Sequence, residues 1–247
     1  AVAALEEGIV TPDFRVPCGG GSTFYGRFYR CHTTHGTVDM REALEKSCNT
    51  YFYALGEKLQ IDQIHKWASA LGLGELTGVD LPHEVLSLMP SAAWKRERLG
   101  EPWYPGETIS VAIGQGPVAV TPISLAVMMA TVANGGTRVT PHLLKAVDEG
   151  GGFVPVARPV PKSRVVLDQV TLDTVTDGLW DVVNRAGTGR RGRIPGRDVM
   201  GKTGTAQVIS LQGRLAAGDT ARDLRDHGWF VFAVPAGAPE LAGVVFG

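Results

Sequence analysis

From Thr108 to Thr137 the chain carries no charged residue, and this run limits the fold more than any other feature. About 20 consecutive apolar residues span a bilayer, so a membrane helix is the first reading to test. The interior of the run speaks against it. Gln115, Pro117, Pro122 and four glycines interrupt the apolar residues. Thr121-Pro122 makes a helix start, and Asn134-Gly135-Gly136 makes a stop. What lies between, ISLAVMMATVA, is too short to cross a membrane, and its pattern predicts a helix buried in a protein core.

The length suits such a core. With 247 residues, 44% of them hydrophobic, the chain has room for one large domain or two small ones. A formal net charge of −1 provides no basic field for nucleic acid and no acidic excess for a disordered tail. The 32 glycines and 15 prolines predict many turns and several special loops. AVAALEEG reads as the last turns of a helix closed by Gly8, and LAGVVFG as a strand cut short. The sequence is thus expected to be an internal piece of a longer protein, 1–247 being one partial domain truncated at both ends. It carries no information on leaders or anchors.

Residues 11–37 form a Gly-, Cys- and His-containing irregular stretch. Asp39 with Glu42 forms a capping-box start for a helix through Lys46. Ser47-Cys48-Asn49 sits at the junction with a second helix, TYFYALGEKL. IDQIHKWASALGLG follows as an amphipathic helix with a stop at Gly72 or Gly74. Residues 75–120 read as loops and short strands. HLLKAV and FVPVA flank Gly150-Gly151-Gly152 as a hairpin. Asp168 to Ala186 is a helix with Val175, Leu179 and Val182 on one face. Strands are expected at 199–208, 228–235 and 241–246. The class is α+β, an antiparallel sheet flanked by helices.

Two short motifs carry chemistry. KTGT (Lys202–Thr205) alone also describes a strand with a solvated lysine and a glycine where another backbone passes close. Ser47-Cys48-Asn49 adds the pattern S-x-N. With S-x-x-K, these are the elements that serine penicillin-recognising enzymes place around a nucleophile. A serine must lose its proton to attack a carbonyl, so amines and hydroxyls are needed within hydrogen-bonding reach. Ser47 can relay that proton, Asn49 can hold the substrate amide, and Lys202 supplies positive potential. Thr203, Gly204 and Thr205 form the substrate edge: the hydroxyls bind a carboxylate, and a backbone N–H on the strand serves an oxyanion hole.

ALEEGIVTP, ALEKSCNTYFYALGEKL, ISVAIGQGPVAVTPISLAVMMATVANGG and GKTGTAQV, in that order along essentially the whole chain, resemble the transpeptidase domain of class B penicillin-binding proteins, and above all of those serving cell elongation. The resemblance implies the penicillin-binding-protein transpeptidase and serine β-lactamase-like fold. It also implies a D,D-transpeptidase that cross-links peptidoglycan stem peptides through a serine acyl-enzyme and is acylated by β-lactams. No catalytic cofactor is implied. A membrane anchor, a location on the periplasmic face of the bacterial inner membrane, and glycosyltransferase and scaffold partners of the elongation machinery are. The S-x-x-K serine and lysine of the family are expected upstream of Ala1. Within the chain, Ser22 in GGGSTFYG meets Tyr25 where the lysine should be, and Ser91 to Lys95 is one residue too long. The sequence leaves open a β-lactam sensor or non-catalytic homologue, and a D,D-carboxypeptidase or β-lactamase. The long interval between S-x-N and K-T-G, with AIGQGPVAVTP inside it, argues against the last.

Cys18, Cys31, His35 and Cys48 gather all three cysteines and one of six histidines into one region, a donor set suited to tetrahedral zinc. The resemblance implies that some relatives carry zinc here, with carboxylates replacing some thiols. A Cys18–Cys31 disulfide with Cys48 merely buried is the competing arrangement, and His32 is a competing ligand. His65 reads as structural and His227 as a partly exposed edge histidine rather than a catalytic one. Trp67, Trp180 and Trp229 read as core residues, and GDTARDLRDH as a solvated loop between two strands, placed where it could also contact a partner or substrate strand.

Overall fold

The computed structural model describes residues 1–206 and 226–247. Helix α1 (Val2–Glu6) is followed by Gly8 at φ +62°, the left-handed closure expected of that glycine. Strands β1 (Val16–Cys18), β2 (Gly21–Phe24), β3 (Arg27–Arg30) and β4 (Gly36–Val38) come next. They form two antiparallel ribbons, β1 with β4 and β2 with β3, where irregular chain was expected. Strands of three or four residues are too short for alternation to be read.

Helix α2 (Met40–Glu45) begins on the expected capping box: Glu42 N–H donates to Asp39 Oδ1 at 3.0 Å, and Asp39 N–H to Glu42 Oε2 at 3.2 Å. Helices α3 (Asn49–Lys58) and α4 (Ile61–Ala70) follow as predicted. The 75–120 region departs from loops and short strands, because it contains helices α5 (Ala92–Leu99) and α6 (Pro105–Val111). Helix α5 shows no apolar stripe. It is anchored by its Ser91 cap and by Lys95, a buried lysine whose ammonium donates to both Glu107 oxygens at 2.8 Å. A polar anchor of this kind leaves no periodic hydrophobic signal.

The charge-free run supplies the end of α6 and all of α7 (Pro122–Ala133), the latter capped by Thr121, whose Oγ1 accepts the Ser124 N–H. Among the described residues, no helix is long and apolar enough to cross a membrane. Two small ribbons follow, β5 (Thr137–Arg138) with β8 (Ser163–Arg164) and the expected hairpin of β6 (Ala146–Asp148) with β7 (Phe153–Pro155). Helix α8 (Gln169–Asn184) is capped by Asp168. Strands β9 (Met200–Ala206), β10 (His227–Val234) and β11 (Leu241–Phe246) form an antiparallel sheet in the order β11-β10-β9. The predicted strand end at 207–208 and residues 218–225 of the charged run lie outside the described residues.

Helices α7 and α8 pack on this sheet. Met129 and Val132 of α7 and Val175 and Leu179 of α8 meet Met200 and Ala233 in one buried cluster. Fully burying each large side chain contributes about 1.5–3 kcal/mol. A second cluster joins α1, α2 and α3 to the ribbons through Val38, Met40, Tyr51 and the three cysteines. Trp67 and Trp180 sit at the margin of the first of these clusters. Trp67, Trp180 and Trp229 are half-buried, because Trp67 Nε1 donates to Glu7 at 2.7 Å, Trp180 Nε1 donates to Asp198, and Trp229 lies against Phe246. His65 is structural, its Nδ1 2.9 Å from the Met89 carbonyl. His227 is exposed beside Phe246.

Candidate active site

Helix α2 ends in a turn that places Ser47 at φ +52°, a left-handed backbone that costs a non-glycine residue about 1–3 kcal/mol. The turn is held by Ser47 N–H to the Leu44 carbonyl at 3.2 Å and Cys48 N–H to the Ala43 carbonyl at 2.9 Å. It aims the serine hydroxyl at β9. There, Lys202 Nζ donates to Ser47 Oγ at 2.8 Å and to its neighbour's carbonyl, Thr203 O, at 2.8 Å. The two motifs thus meet directly. Burial pulls the Lys202 ammonium down to about 8, since desolvation penalises the charged form. Asn49 opens α3, and its side chain lies beside the Tyr53 hydroxyl.

A frame that the sequence did not reveal holds these pieces in register. Buried Glu45, two residues before Ser47, accepts the Ala186 N–H through Oε1 at 3.1 Å, and its carbonyl accepts the Thr188 N–H at 3.3 Å. Thr188 Oγ1 lies 2.7 Å from Thr203 Oγ1. From the same helix, Arg41 Nε donates to Asp181 Oδ2, its Nη2 to Asp181 Oδ1 at 3.0 Å, and its Nη1 to Asp177 at 2.7 Å. Helix α2 is therefore clasped to α8, and the loop after α8 is tied to β9. No periodicity or motif marks Glu45 or Thr188.

The free edge of β9 follows from the ladder. Thr205 faces Gly228 across the β9–β10 pair, yet both the N–H and the carbonyl of Gly228 bond Gly247 on the other side. Thr205 and Gly228 are therefore a non-hydrogen-bonded pair, and the N–H and carbonyl of Thr205 both point away from the sheet. Thr203, two residues earlier, does the same, as its bond from Lys202 shows. The Thr205 carbonyl is met by Gln115 Nε2 at 2.8 Å. AIGQGPV was legible as a family signature, but this role of its glutamine was not. Gly204 and Thr205 are exposed along the edge.

Neither rival serine has the surroundings of a nucleophile. Ser22 stands in β2 opposite Tyr29, and Ser91 Oγ caps α5 by accepting the Trp94 N–H at 3.0 Å.

Cys18, Cys31, His35 and Cys48 converge, with their ligand atoms all within 4.8 Å of one another. His35 Nδ1 is 3.6 Å from Cys18 Sγ and 3.5 Å from Cys31 Sγ. His32, on the other hand, reaches only Cys31, at 3.9 Å. All three cysteines are free and buried, so the Cys18–Cys31 disulfide is not formed. Burial would raise the Cys18 thiol, but hydrogen bonding from Thr50 and from the Gly20 and His35 backbone outweighs it and brings the group to about 6. Burial pushes Cys48 up to about 12. A tetrahedron with Zn–S bonds of about 2.3 Å has S···S edges of roughly 3.8 Å, so the donor set fits a zinc ion.

Residues 1–246 match the family model of the penicillin-binding protein transpeptidase domain. The chain belongs to this transpeptidase family. It is 41% identical over 214 residues to the peptidoglycan D,D-transpeptidase MrdA of Acinetobacter baumannii, covering 85% of this chain and 31% of that protein. The crystal structure of Pseudomonas aeruginosa PBP2 with WCK 5153 is 38% identical and superposes with a TM-score of 0.86, covering 99% of this chain and 51% of the other. Helicobacter pylori PBP2 in complex with MreC is 27% identical with a TM-score of 0.83, covering 99% and 43%. The chain thus spans about a third to a half of the length of these relatives. The α+β fold with its antiparallel sheet is that of penicillin-binding-protein transpeptidase domains.

Proposed function

We propose that the chain is the greater part of a D,D-transpeptidase domain that cross-links peptidoglycan stem peptides, and that Ser47, Asn49, Lys202, Thr203, Gly204 and Thr205 are its site residues. The observation that carries the reading is the 2.8 Å contact between Lys202 and Ser47, which joins S-x-N to K-T-G-T. The nucleophilic serine and its lysine are contributed by residues that precede Ala1. In the acylation step, the serine oxygen attacks the carbonyl of the penultimate D-Ala. The C–N bond to the terminal D-Ala breaks, and the hydroxyl proton leaves with the departing amine through the Ser47–Lys202 pair. A stem-peptide amine then attacks the ester, loses a proton and restores the serine. The Thr205 N–H, directed away from the sheet on the β9 edge, stabilises the oxyanion, and the hydroxyls of Thr203 and Thr205 take the terminal carboxylate. β-Lactams follow the first half of this course and stop at the acyl-enzyme.

Cys18, Cys31, His35 and Cys48 would hold a zinc ion, whose chemistry here is structural cross-linking. Because Cys48 lies between Ser47 and Asn49, these ligands tie the ribbon region to the S-x-N turn. The likeness to a PBP2 solved with MreC and to a peptidoglycan synthase complex that coordinates polymerization and crosslinking supports scaffold and glycosyltransferase partners. The family resemblance implies an elongation role on the periplasmic face of the inner membrane.

The test is covalent labelling of the intact protein by a fluorescent penicillin. Ser47→Ala and Lys202→Ala are expected to slow acylation by about 10²–10⁴-fold, the scale of a lost proton-transfer group. Residues 1–247 produced alone should take no label. An intact protein that stays unlabelled, or a Lys202→Ala variant that labels at the unaltered rate, refutes the reading.

A further inference from the structure

Along the KTGT stretch of β9, Thr205 is the rung that an incoming peptide can take with both of its backbone groups. At Thr203 the carbonyl is taken by Lys202, a site residue. At Thr205 both backbone groups point outward, and a ligand residue laid antiparallel against it would form a hydrogen-bonded pair: its carbonyl takes the Thr205 N–H, and its own N–H donates to the Thr205 carbonyl. That carbonyl already holds the Gln115 side-chain amide at 2.8 Å.

Gln115 is built to let go. Its backbone is fixed independently of its side chain, with the N–H bonded to the Ser110 carbonyl at 3.0 Å. Flanking Gly114 and Gly116 stand at φ +76° and +77°, the left-handed backbone that glycine adopts without cost. The side chain alone crosses to β9, so releasing the carbonyl needs a rotamer change and no movement of the loop.

We propose that the Gln115 amide is a displaceable cap on the Thr205 carbonyl, standing where the N–H of the acyl donor bonds, and that it thereby sorts ligands by whether they carry that N–H. The proposal rests on the transpeptidase reading. A ligand with an N–H next to its reacting carbonyl must exchange one hydrogen bond for another. A ligand without one leaves Gln115 in place and loses nothing. Gln115 therefore selects against the first class by up to the worth of one neutral hydrogen bond, a factor of roughly two to ten.

The test uses two β-lactams on the intact protein: a penicillin with an acylamino N–H beside the lactam carbonyl, and a carbapenem with a hydroxyethyl group there. Second-order acylation rate constants are measured for the unaltered protein, for Gln115→Ala and for Gln115→Met, which keeps the length but not the donor. The ratio of penicillin to carbapenem rates is expected to rise about three- to tenfold in both variants. Because each ratio is taken within one protein preparation, a loss of folded material cancels. A ratio that stays constant in either variant, or that falls, overturns the cap. If neither compound acylates the unaltered protein, the transpeptidase reading fails first and the cap with it.

Discussion

Removing Arg41 tests whether the clasp between α2 and α8 holds the S-x-N turn in place. Asp181 is fully buried, and the Arg41 guanidinium meets it with two N–H groups. Stripping the partner from a buried charge costs about 3–5 kcal/mol. Two features reduce that figure here: Arg41 is 42% exposed, and Arg185 Nη1 stands 3.6 Å from Asp181 as a partial substitute. Arg41→Ala should therefore destabilise the protein by about 2–3 kcal/mol, and for a chain of this size that lowers Tm by roughly 5–10 °C. Arg41→Leu with Asp181→Leu should recover most of the loss, since replacing both charges with apolar groups is near neutral. Thermal and denaturant unfolding give the stabilities, and penicillin acylation at a temperature where the variants remain folded reports on Ser47. The single variant should acylate more slowly and the double variant should regain part of the rate. An Arg41→Ala variant within about 0.5 kcal/mol of the unaltered protein, or a double variant no better than the single, would refute the clasp.

Four further outcomes follow from the same geometry. Lys202 binds its proton less tightly when folded, at about 8, than at its ordinary 10.5. It therefore penalises the fold below about pH 8, and the penalty fades as pH rises toward 10.5; Lys202→Met should flatten that part of a stability–pH curve. Acylation should decline as pH rises through about 8, as the ammonium donating to Ser47 is lost, and Lys202→Arg should not show that decline. Protein purified without chelator should contain about one equivalent of zinc and lose thermal stability on chelation; less than about half an equivalent would exclude the metal. A Cβ at Gly178 would lie 2.9 Å from Leu44 Cβ and 2.5 Å from its Cδ1, so Gly178→Ala should destabilise by about 1–3 kcal/mol despite its better helix propensity. Leu44→Ala should then cost less in that background than alone, by a denaturant double-mutant cycle.

The sequence was legible wherever a local rule and the tertiary structure agree. Asp39 and Glu42 close their capping box with no help from the rest of the chain, and Thr121-Pro122 starts α7 where a cap should. Strands β10 and β11 stood out because each is a sustained apolar run, and β9 because KTGT sits inside a strand-like stretch. Ser47 and Lys202 were found through motif order, and the structure adds the distance between them. What stayed hidden depends on partners far away in sequence. Helix α5 is fixed by Lys95 meeting Glu107 and an aromatic wall of Trp103 and Tyr104, which no hydrophobic periodicity records. Glu45 looks like any surface glutamate of an amphipathic helix until the loop after α8 arrives to bond it. Gln115 sits in the AIGQGPV family signature, but its task depends on the direction in which one carbonyl of β9 points.

That carbonyl has a consequence for solubility as well as for selectivity. Among the described residues, β9 is an edge strand, and an open edge is the usual starting point for sheet-to-sheet aggregation between chains. On the proposed transpeptidase reading, the edge has to stay open for an extended peptide. With Lys202 on the Thr203 carbonyl and Gln115 on that of Thr205, a foreign strand finds donors but few acceptors along β9. A short peptide needing one rung can dock, while a second β-strand needing several in succession gains little.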